Sequence, residues 1–391
     1  MTSQASPPTI GFVSTYPPTS CGLATFTYAL RNAIAKTRGT AQGLGVVRLV
    51  DSLSTDTPPE VTYSLVNGDR VSLRAAVETL NSFDVALMQH EYGIFGGLDG
   101  AEVLDLLKGL EVPSIVTLHT VLSRPSPSQQ SILEAVVGLA SQTVVMSETA
   151  GQRLIDLYEV DPSKITMIPH GARIALGGPS LADGDRPVFL TWGLIGPGKG
   201  LETAIEAFGS LKDIQPVPRY IVLGTTHPKV QAASGDAYLN GLVARVEELG
   251  LEDVVEFDGR YLDIDELTLA VRRADVVVLP YESTEQVTSG VLVEAIGAGK
   301  PIIATAFPHA VELLSSGAGI VVPHSDAAAL SAAVRSMIEN PAATTRMGGR
   351  ARLMGSTLYW PVVARSYDAI ATTLASGLQR PGLRDSLARV G

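Results

Sequence analysis

Residues 280 to 300 carry the side chains whose types and spacing best suit the binding of a nucleotide diphosphate. The stretch Pro-Tyr-Glu-Ser-Thr-Glu-Gln-Val-Thr-Ser-Gly-Val-Leu-Val-Glu-Ala-Ile-Gly-Ala-Gly-Lys predicts a strand end, a turn of small residues and a helix. At the helix start, Thr288, Ser289 and Gly290 leave backbone N–H groups free where the helix dipole is positive, so phosphate can bind there. Glu294 lies one turn further in, where a carboxylate can accept hydrogen bonds from a ribose diol. The alternative interpretation of Glu294 is an exposed helix residue.

A glycine-rich loop at residues 193 to 200 supplies a second candidate contact for phosphate. It follows a predicted strand and precedes an amphipathic helix, and it carries Lys199. Lys199 could neutralise a phosphate, although a solvated Lys is the simpler alternative. The loop lacks the full spacing of a P-loop or of a dinucleotide fingerprint. Arg260, which follows another predicted strand, offers a further positive charge.

Polar and aromatic residues gather after predicted strands of the first half, where they could form a carbohydrate pocket. His90, Glu91 and Tyr92 stand together at one strand end, before Phe95 and a glycine-rich turn. Hydrogen-bonding groups, aromatic faces and a flexible turn suit sugar hydroxyls and rings. His119 ends the next strand; a lone His is more often structural, but its position at the carboxyl edge of the sheet favours a ligand role.

The first loop, residues 16 to 27, joins a strand to a helix that runs to about Lys36. Gly22 at the start of this helix would let a ligand approach the backbone closely, and an ordinary strand-to-helix turn is equally compatible with the sequence. Cys21 is interpreted as a small packing residue, because no metal-ligand spacing accompanies it.

These loops must be positioned by an alternation of strands and helices. Short apolar runs alternate with segments of helical period, the pattern of parallel strands covered on both faces by helices. A segment rich in Gly, Pro and Asp, residues 175 to 187, suits neither element and is predicted to be a linker. Two doubly wound α/β domains, facing across a cleft lined by the loops after the strands, are therefore predicted. The apolar runs are residues 9–14, 45–50, 84–90, 114–119, 143–147 and 165–169, then 188–192, 220–224, 254–257, 275–280, 301–305 and 319–322.

Composition limits the kinds of partner. At 391 residues the chain exceeds the roughly 250 to 300 residues at which one hydrophobic core stops growing, which also predicts two domains. A formal net charge of −11 argues against nucleic acid or an anionic bilayer as an electrostatic partner. The single cysteine cannot form an intrachain disulfide, and neither a signal peptide nor a membrane span is expected. We therefore expect a soluble cytoplasmic protein.

Together these residues resemble the retaining glycosyltransferases of family 4, the group 1 transferases with a GT-B fold, over nearly the whole chain. The family pattern is a Glu, seven intervening residues, a second Glu, a run of small residues and then Gly-x-Pro. Residues 294 to 301, Glu-Ala-Ile-Gly-Ala-Gly-Lys-Pro, match the part of this pattern that begins at the second Glu. Gly193 and Lys199-Gly200 match the family's phosphate loop, and His119 falls where the family has a His after Thr-Leu. Residues 168 to 171, Ile-Pro-His-Gly, resemble the family's Ile-Pro-Asn-Gly, and the helix from Trp360 resembles its terminal helix.

The resemblance implies a division of labour between two Rossmann-like domains. Residues 1 to 176 would bind the acceptor, residues 177 to 365 would bind the nucleotide sugar, and residues 366 to 391 would pack back on the first domain. The implied catalytic set is His119, Lys199, Glu294 and Gln286; the donor-binding set is Gly22, Gly193, Lys199, Arg260, Gln286, Ser289, Gly290, Val291, Leu292 and Glu294; the acceptor-binding set is His90, Glu91, Tyr92 and Phe95.

The implied reaction moves a hexosyl group, with retention, from a nucleoside diphosphate sugar to a hydroxyl of a sugar or glycolipid. GDP-mannose or UDP-glucose would be the donor, with mannose slightly preferred. Negative charge would grow on the leaving diphosphate, where preorganised cationic and amide groups stabilise it. No cofactor is implied, and no divalent metal is expected to be required. A peripheral membrane contact and the oligomeric state stay open.

Two positions depart from the family pattern. Gln286 stands where the first Glu is expected, and Leu194 where the family has a phosphate-binding Arg, so Lys199 has less help unless Arg260 enters the site. These changes are compatible with a different donor, or with a catalytically silent protein that binds nucleotide sugars. A GT-B phosphorylase or a nucleotide-sugar epimerase is a third alternative, without a specific signal for an inorganic phosphate site or a Schiff-base Lys.

Overall fold

The computed structural model describes residues 6–53, 55–173, 186–260 and 262–377, and the chain divides into two compact units. Unit 1 comprises Met1–Gly171 and Trp360–Gly391, and unit 2 comprises Ala172–Tyr359. The unit boundaries, after residues 171 and 359, fall a few residues before the domain ends predicted from the sequence, residues 176 and 365. Most of the predicted linker, residues 175 to 185, lies outside the described residues, as do residues 378 to 391 of the terminal segment.

Unit 1 contains a parallel sheet flanked by helices. Its strands are β1 (Ile10–Ser14), β2 (Leu44–Val50), β3 (Val61–Val66), β4 (Val85–His90), β5 (Ser114–Leu118), β6 (Gln142–Val145) and β7 (Ile165–Met167). Its first helices are α1 (Gly22–Arg38), α2 (Arg70–Leu80), α3 (Glu102–Gly109), α4 (Pro127–Leu139) and α5 (Glu148–Leu157), with short 3₁₀ turns at Leu98–Gly100 and Pro162–Lys164. The strand order is β3-β2-β1-β4-β5-β6-β7. β3 was not predicted from the sequence, because this edge strand is mostly half-exposed and lacks a continuous apolar run.

Unit 2 repeats the arrangement with six strands. They are β8 (Val188–Trp192), β9 (Arg219–Leu223), β10 (Val255–Asp258), β11 (Val276–Leu279), β12 (Ile302–Thr305) and β13 (Gly319–Val322). The helices are α6 (Leu201–Gly209), α7 (Pro228–Ser234), α8 (Ala237–Glu248), α9 (Ile264–Arg273), α10 (Gly290–Gly297), α11 (Pro308–Leu314), α12 (Ala327–Glu339) and α13 (Pro341–Leu358). The strands are parallel in the order β10-β9-β8-β11-β12-β13. Apolar clusters cover both faces of this sheet, which is why its strands have nearly continuous apolar sequences.

The last helix, α14 (Trp360–Ala375), packs on unit 1. It contributes Tyr367 and Ile370 to an apolar core shared with α1 and with alternate residues of β1, such as Ile10 and Phe12. Arg38 at the end of α1 donates two hydrogen bonds to the Asp368 carboxylate, from Nε at 3.0 Å and from Nη2 at 2.5 Å. The terminal helix is thereby held on the first unit by both apolar packing and an ion pair.

Unit 2 begins and ends at neighbouring points. The N–H of Ala172 donates to the carbonyl of Leu358 at 2.7 Å, and Ala172 forms a parallel bridge with Tyr359. The first and last residues of unit 2 are therefore side by side.

Both sheets contain a topological switch point. β1 lies between β2 and β4, and β8 lies between β9 and β11. Sheets of this kind bind ligands at the carboxyl ends of the strands beside the switch point. The structure confirms the predicted α/β fold class with two doubly wound sheets. In the described parts of the chain, no helix combines the length and the apolar character needed to cross a bilayer.

Candidate functional site

Two loops at the carboxyl edge of the second sheet are bonded to each other. They follow β8 and β11, the strands at the switch point of unit 2, and the N–H of Glu282 donates to the carbonyl of Gly198 at 3.0 Å. Gly200 has a φ of 65°, and a Cβ at this position would lie 1.9 Å from the carbonyl oxygen of Pro280. A side chain at residue 200 would therefore force the two loops apart, so the glycine sets their separation.

Lys199 is held at this junction by an aromatic ring. Its Nζ lies 4.5 Å from the centre of the Tyr281 ring, and the negative face of a phenol attracts an ammonium. Burial lowers the pKa of Lys199 from its ordinary value. The ring replaces part of the hydration that the half-buried ammonium has lost, so the charge is positioned before any ligand arrives.

The two loops line an open cleft of ≈ 440 Å³. A phosphate and a sugar ring fit within a volume of this size, which lies in the range of small-ligand sites of about 300 to 1,000 Å³. The structure thus brings Lys199 and Gln286 together. The lining residues are Pro197, Gly198, Lys199, Tyr281, Glu282, Ser283 and Gln286.

The start of α10 offers fewer free amides than the sequence suggested. Ser289 is the N-cap, and its Oγ accepts from the N–H of Leu292 at 3.3 Å. The N–H of Ser289 donates to His309 Nδ1 at 2.8 Å. The amides of Ser289 and Leu292 are thus bonded within the protein, which leaves those of Gly290 and Val291, the first two residues of α10, to point out of its start.

His309 ties this turn to the next helix, a contact that sequence analysis missed. Besides accepting from Ser289, it donates its main-chain N–H to the carbonyl of Gln286 at 3.3 Å, and the residue is buried. Residues 286 to 289 and 309 meet because β11 and β12 are adjacent in the sheet, and no local pattern signals that contact.

Glu294 lies in a second, smaller cavity of unit 2. Its Oε2 accepts from the main-chain N–H of Arg173 and its Oε1 from Arg173 Nε, both at 3.2 Å. Burial raises the pKa of Glu294, and the charge and hydrogen bonds of Arg173 oppose that rise. The cavity is lined by Arg173, Trp192, Leu267, Thr268, Val271, Arg272, Glu294 and Ala298.

Arg260 and Gly193, two further residues predicted to bind the donor, each follow a strand of unit 2. Arg260 is exposed and forks onto Asp258, from Nε to Oδ1 at 2.9 Å and from Nη2 to Oδ2 at 2.6 Å, so its charge is engaged in its own turn. Gly193 donates its N–H to Leu223 at 3.0 Å, and a Cβ on Gly224 would lie 2.0 Å from the Gly193 carbonyl. Arg260 is therefore an ion-paired surface group, whereas Gly193 lies in a close packing of the ends of β8 and β9.

In unit 1, His90 is buried among aromatic rings. Its ring packs edge-on to Tyr92 at 5.3 Å and stacks with Phe95 at 6.3 Å, between ring centres. Within the described residues, neither ring nitrogen of His90 has a hydrogen-bond partner. Burial lowers the pKa of His90 to about 4. The residue is therefore a neutral ring at neutral pH.

Glu91 and Tyr92 are fixed by hydrogen bonds to the loop after β5 and to α4. One carboxylate oxygen of Glu91 accepts from the N–H of Tyr92 at 3.0 Å, and the other accepts from the Thr120 hydroxyl. Burial raises the pKa of Glu91 despite these hydrogen bonds. The Tyr92 hydroxyl donates to the carbonyl of Gln129 at 3.2 Å. The three hydrogen bonds give the loop after β4 a defined conformation.

His119 is close to this group and is also neutral. Its Nε2 lies 2.8 Å from Gln89 Oε1, a bond that places the ring proton on Nε2 because an amide oxygen can only accept. Its main-chain N–H donates to the carbonyl of His90 at 3.1 Å. Burial, with smaller contributions from His170 and His90, lowers the pKa of His119 to about 3. Its chemistry is therefore that of a hydrogen-bonding group rather than of a cation.

Gly22 begins α1, and a Cβ at this position would meet no atom within 4 Å. The preceding Cys21 has a function that sequence analysis missed, since its Sγ is the N-cap and accepts from the N–H of Ala24 at 3.4 Å. The start of α1 is thus capped by a thiol beside an open glycine.

Comparison with known protein families gives matches along most of the chain. The model described as Glycosyltransferase Family 4 matches residues 32–175, and the model described as Glycosyl transferases group 1 matches residues 177–354. The boundary between the two matches falls close to the boundary between the two units.

The relatives include proteins named D-inositol 3-phosphate glycosyltransferase. The protein from Kineococcus radiotolerans is 29% identical over 290 residues, which cover 66% of this chain and 65% of the relative. The protein from Mycolicibacterium vanbaalenii is 30% identical over 222 residues, or 50% of this chain and 47% of the relative. The chain thus spans less than two thirds of the length of these relatives.

Solved structures share the fold at low sequence identity. HepE from Anabaena, in complex with UDP, has a TM-score of 0.73 at 20% identity, with 94% of this chain and 99% of that chain covered. Sucrose-phosphate synthase from Thermosynechococcus elongatus gives the same four values. The likeness extends over nearly the whole of each chain and establishes a common architecture.

Proposed function

Because the chain belongs to the family 4 glycosyltransferases of group 1, with the GT-B fold, we propose that it is itself a retaining hexosyltransferase. The donor is a nucleoside diphosphate sugar, and the acceptor is a hydroxyl of a sugar or glycolipid. The observation that carries the proposal is the pair of bonded loops in unit 2, which holds the Lys199 ammonium over Tyr281 and beside Gln286 at the switch point of the sheet.

The proposed donor site uses the groups that unit 2 leaves for a ligand. Lys199 and the amides of Gly290 and Val291 bind the diphosphate, because a positive charge and a helix start both favour an anion. Gln286 bonds hydroxyls of the transferred sugar, in place of the carboxylate expected from the family. Glu294 accepts hydrogen bonds from the ribose.

In the proposed reaction the bond between the sugar and the diphosphate breaks while the acceptor attacks from the leaving-group side. Negative charge develops on the diphosphate, where the preorganised ammonium and amides stabilise it. The diphosphate takes the proton that the acceptor hydroxyl loses. His119, as a neutral hydrogen-bond group, orients the sugar, and His90, Glu91, Tyr92 and Phe95 form the acceptor site.

The donor is proposed to be GDP-mannose or UDP-glucose, and no divalent metal is proposed to take part. The solved HepE structures contain UDP, and one of them UDP-glucose, which makes the uridine compounds the first to test. The name of the curated relatives makes D-inositol 3-phosphate the first acceptor to test.

A thermal-shift screen against UDP, GDP, UDP-glucose and GDP-mannose tests the proposal, because a ligand that binds the native state alone raises the melting temperature. Incubation of the stabilising sugar nucleotide with candidate acceptors, with and without a chelator, then gives the product and its anomeric configuration. We expect a retained configuration and full activity in the chelator. Stabilisation by none of the four compounds would contradict the proposal.

Lys199→Ala tests the site itself. We expect a fall in nucleotide affinity and turnover of at least tenfold, the effect of losing one charged hydrogen bond. Lys212→Ala is the matched control, because Lys212 is exposed, follows α6 and donates to the carbonyl of Leu249. Equal affinities for the two variants would remove Lys199 from the site.

A binding protein without transferase activity is a second candidate, favoured by one observation. Gln286 lines the cleft where the family pattern has a Glu, and an amide cannot carry the negative charge of a carboxylate. Nucleotide-sugar binding measured by calorimetry, together with neither transfer nor hydrolysis of the sugar, would favour this candidate over a transferase.

A further inference from the structure

We propose that Arg173 is a positioning residue of the donor site. It holds the Glu294 carboxylate through two hydrogen bonds and keeps both of them when the ribose hydroxyls bind. The inference rests on the proposed function, because it takes the ribose as the ligand of Glu294. The sequence resemblance gave Arg173 no function. Its contact with Glu294 joins residues that are 121 positions apart in the chain.

The geometry of the contact is specific. Arg173 donates to Glu294 twice, from its main-chain N–H to Oε2 and from its guanidinium Nε to Oε1, each at 3.2 Å. The two donors come from one residue and take one carboxylate oxygen each. A carboxylate held in this way cannot rotate about its last bond without breaking both contacts.

The main chain before Arg173 is itself fixed against α10. Gly297 lies one turn beyond Glu294 on the same helix face, and a Cβ there would be 2.6 Å from the Cβ of Ala172. Tyr359 supports the same glycine, since its hydroxyl donates to the Gly297 carbonyl at 3.3 Å. With the N–H of Ala172 bonded to Leu358, the segment that carries Arg173 packs between α10 and the end of α13.

A count of acceptor positions explains why Arg173 can stay when a ribose binds. An ionised carboxylate has about four lone-pair positions, and Arg173 occupies two of them, one on each oxygen. Two positions remain, again one on each oxygen, and a ribose diol presents two hydroxyl donors. The arrangement therefore suits a vicinal diol, and it needs an ionised Glu294 because a protonated carboxyl would lose one acceptor.

The charge balance of the cavity depends on arginine. Among the residues that the structure describes, the charged side chains that line it are Arg173, Glu294 and Arg272, the last from α9. Burial raises the pKa of Glu294, whereas the charge and the hydrogen bonds of Arg173 lower it. Loss of the Arg173 guanidinium should raise this pKa further, so that Glu294 takes up a proton closer to neutral pH.

Calorimetry with UDP and with GDP, between pH 5 and pH 8, tests the proposal on wild type, Arg173→Ala, Arg173→Lys and Arg272→Ala. We expect Arg173→Ala to bind the preferred nucleotide on the order of tenfold more weakly at pH 7, and to lose affinity on acidification at a higher pH than wild type. Arg173→Lys should recover part of the affinity, because it keeps a positive charge close to the Glu294 carboxylate, whereas both variants keep the main-chain donor. Arg272→Ala is the control from the same cavity and should follow the wild-type pH profile.

Thermal unfolding without nucleotide separates this proposal from the proposed function. A carboxyl whose pKa is raised on folding destabilises the fold as the pH rises through that range, since the native state then binds more protons than the unfolded state. The loss of stability from pH 4.5 upward should therefore be larger in Arg173→Ala than in wild type, and it should vanish when Glu294→Gln is added. Equal pH profiles of unfolding for wild type and Arg173→Ala would overturn the proposal. If the two profiles differ as expected but wild type binds neither nucleotide, the proposed function is contradicted, whereas the contact of Arg173 with Glu294 is supported.

Discussion

The ammonium of Lys199 lies 4.5 Å from the centre of the Tyr281 ring, although the two residues belong to different loops. Tyr281 is buried, it stacks with Phe307 at 5.6 Å between ring centres, and its hydroxyl has no hydrogen-bond partner within the described residues. The ring, rather than the hydroxyl, is thus the part of Tyr281 that acts on Lys199.

Replacement of Tyr281 should therefore separate the contribution of the ring from that of the hydroxyl. We expect Tyr281→Phe to keep nucleotide affinity and to match or exceed wild-type stability, since it removes a buried polar atom without a partner. Tyr281→Leu should weaken nucleotide binding about two- to thirtyfold, because a partly desolvated cation–π contact contributes about 0.5 to 2 kcal/mol. Calorimetry on the two variants measures both effects, and equal losses of affinity would assign the effect to the hydroxyl.

Gly200→Ala should destabilise unit 2 strongly. The added Cβ would meet the Pro280 carbonyl at 1.9 Å, and the φ of 65° is unfavourable for alanine. Gly198→Ala is a close control, because Gly198 also has a positive φ, 85°, but a Cβ there would meet no atom within 4 Å. Denaturant unfolding should give a cost of about 1 kcal/mol for Gly198→Ala and about 3 kcal/mol or more for Gly200→Ala. Similar costs would mean that the loops adjust freely to each other.

His309→Ala should loosen the turn before α10. It removes the acceptor of the Ser289 N–H, and an unsatisfied buried donor costs about 1 to 3 kcal/mol. His309→Asn should recover much of the loss, because an amide oxygen can take the place of Nδ1. Thermal unfolding and nucleotide affinity are to be measured together; equal behaviour of the Ala and Asn variants would show that the acceptor is unimportant.

The buried histidines of unit 1 should make the protein sensitive to acid. Burial lowers the pKa of His90 and of His170 to about 4, below the unfolded value of 6.5. The unfolded state then binds more protons than the native state below pH 6.5, so stability is present above that pH and is lost as the pH falls toward 4. Full protonation of either residue in the native state would cost about 3 kcal/mol of stability relative to neutral pH.

His90→Leu tests this assignment. The variant keeps an apolar side chain between Tyr92 and Phe95 and removes a group that must otherwise stay uncharged. We expect the melting temperature of the variant to fall less than that of wild type between pH 7 and pH 4.5. A parallel decline of both proteins with pH would place the acid-sensitive groups elsewhere.

The sequence predicted those parts of the fold that are buried on both sides. β8 and β11 appear as continuous apolar runs because helices cover both faces of the sheet. β3 was not predicted because edge strands are partly exposed. The capping of α1 by Cys21 was not predicted because a thiol is an uncommon N-cap.

The sequence predicted which residues lie at the carboxyl edge of the second sheet, but not the contacts that they make. Lys199 and Gln286 could be assigned to one edge of a sheet, since loops after adjacent parallel strands meet there. The bonds of Glu294 to Arg173 and of Ser289 to His309 join residues far apart in the chain, and each depends on which helix packs beside which strand. Such pairings are decided by tertiary packing, which local periodicity does not encode.

The bridge between Ala172 and Tyr359 makes unit 2 one continuous segment of the chain whose first and last residues adjoin. A protein segment whose two ends adjoin can be removed, exchanged for a homologous segment or circularly permuted without a long new connection, since the gap to be closed is a single hydrogen-bonded pair. The architecture thus allows unit 2 to be inherited or replaced as one continuous stretch of gene.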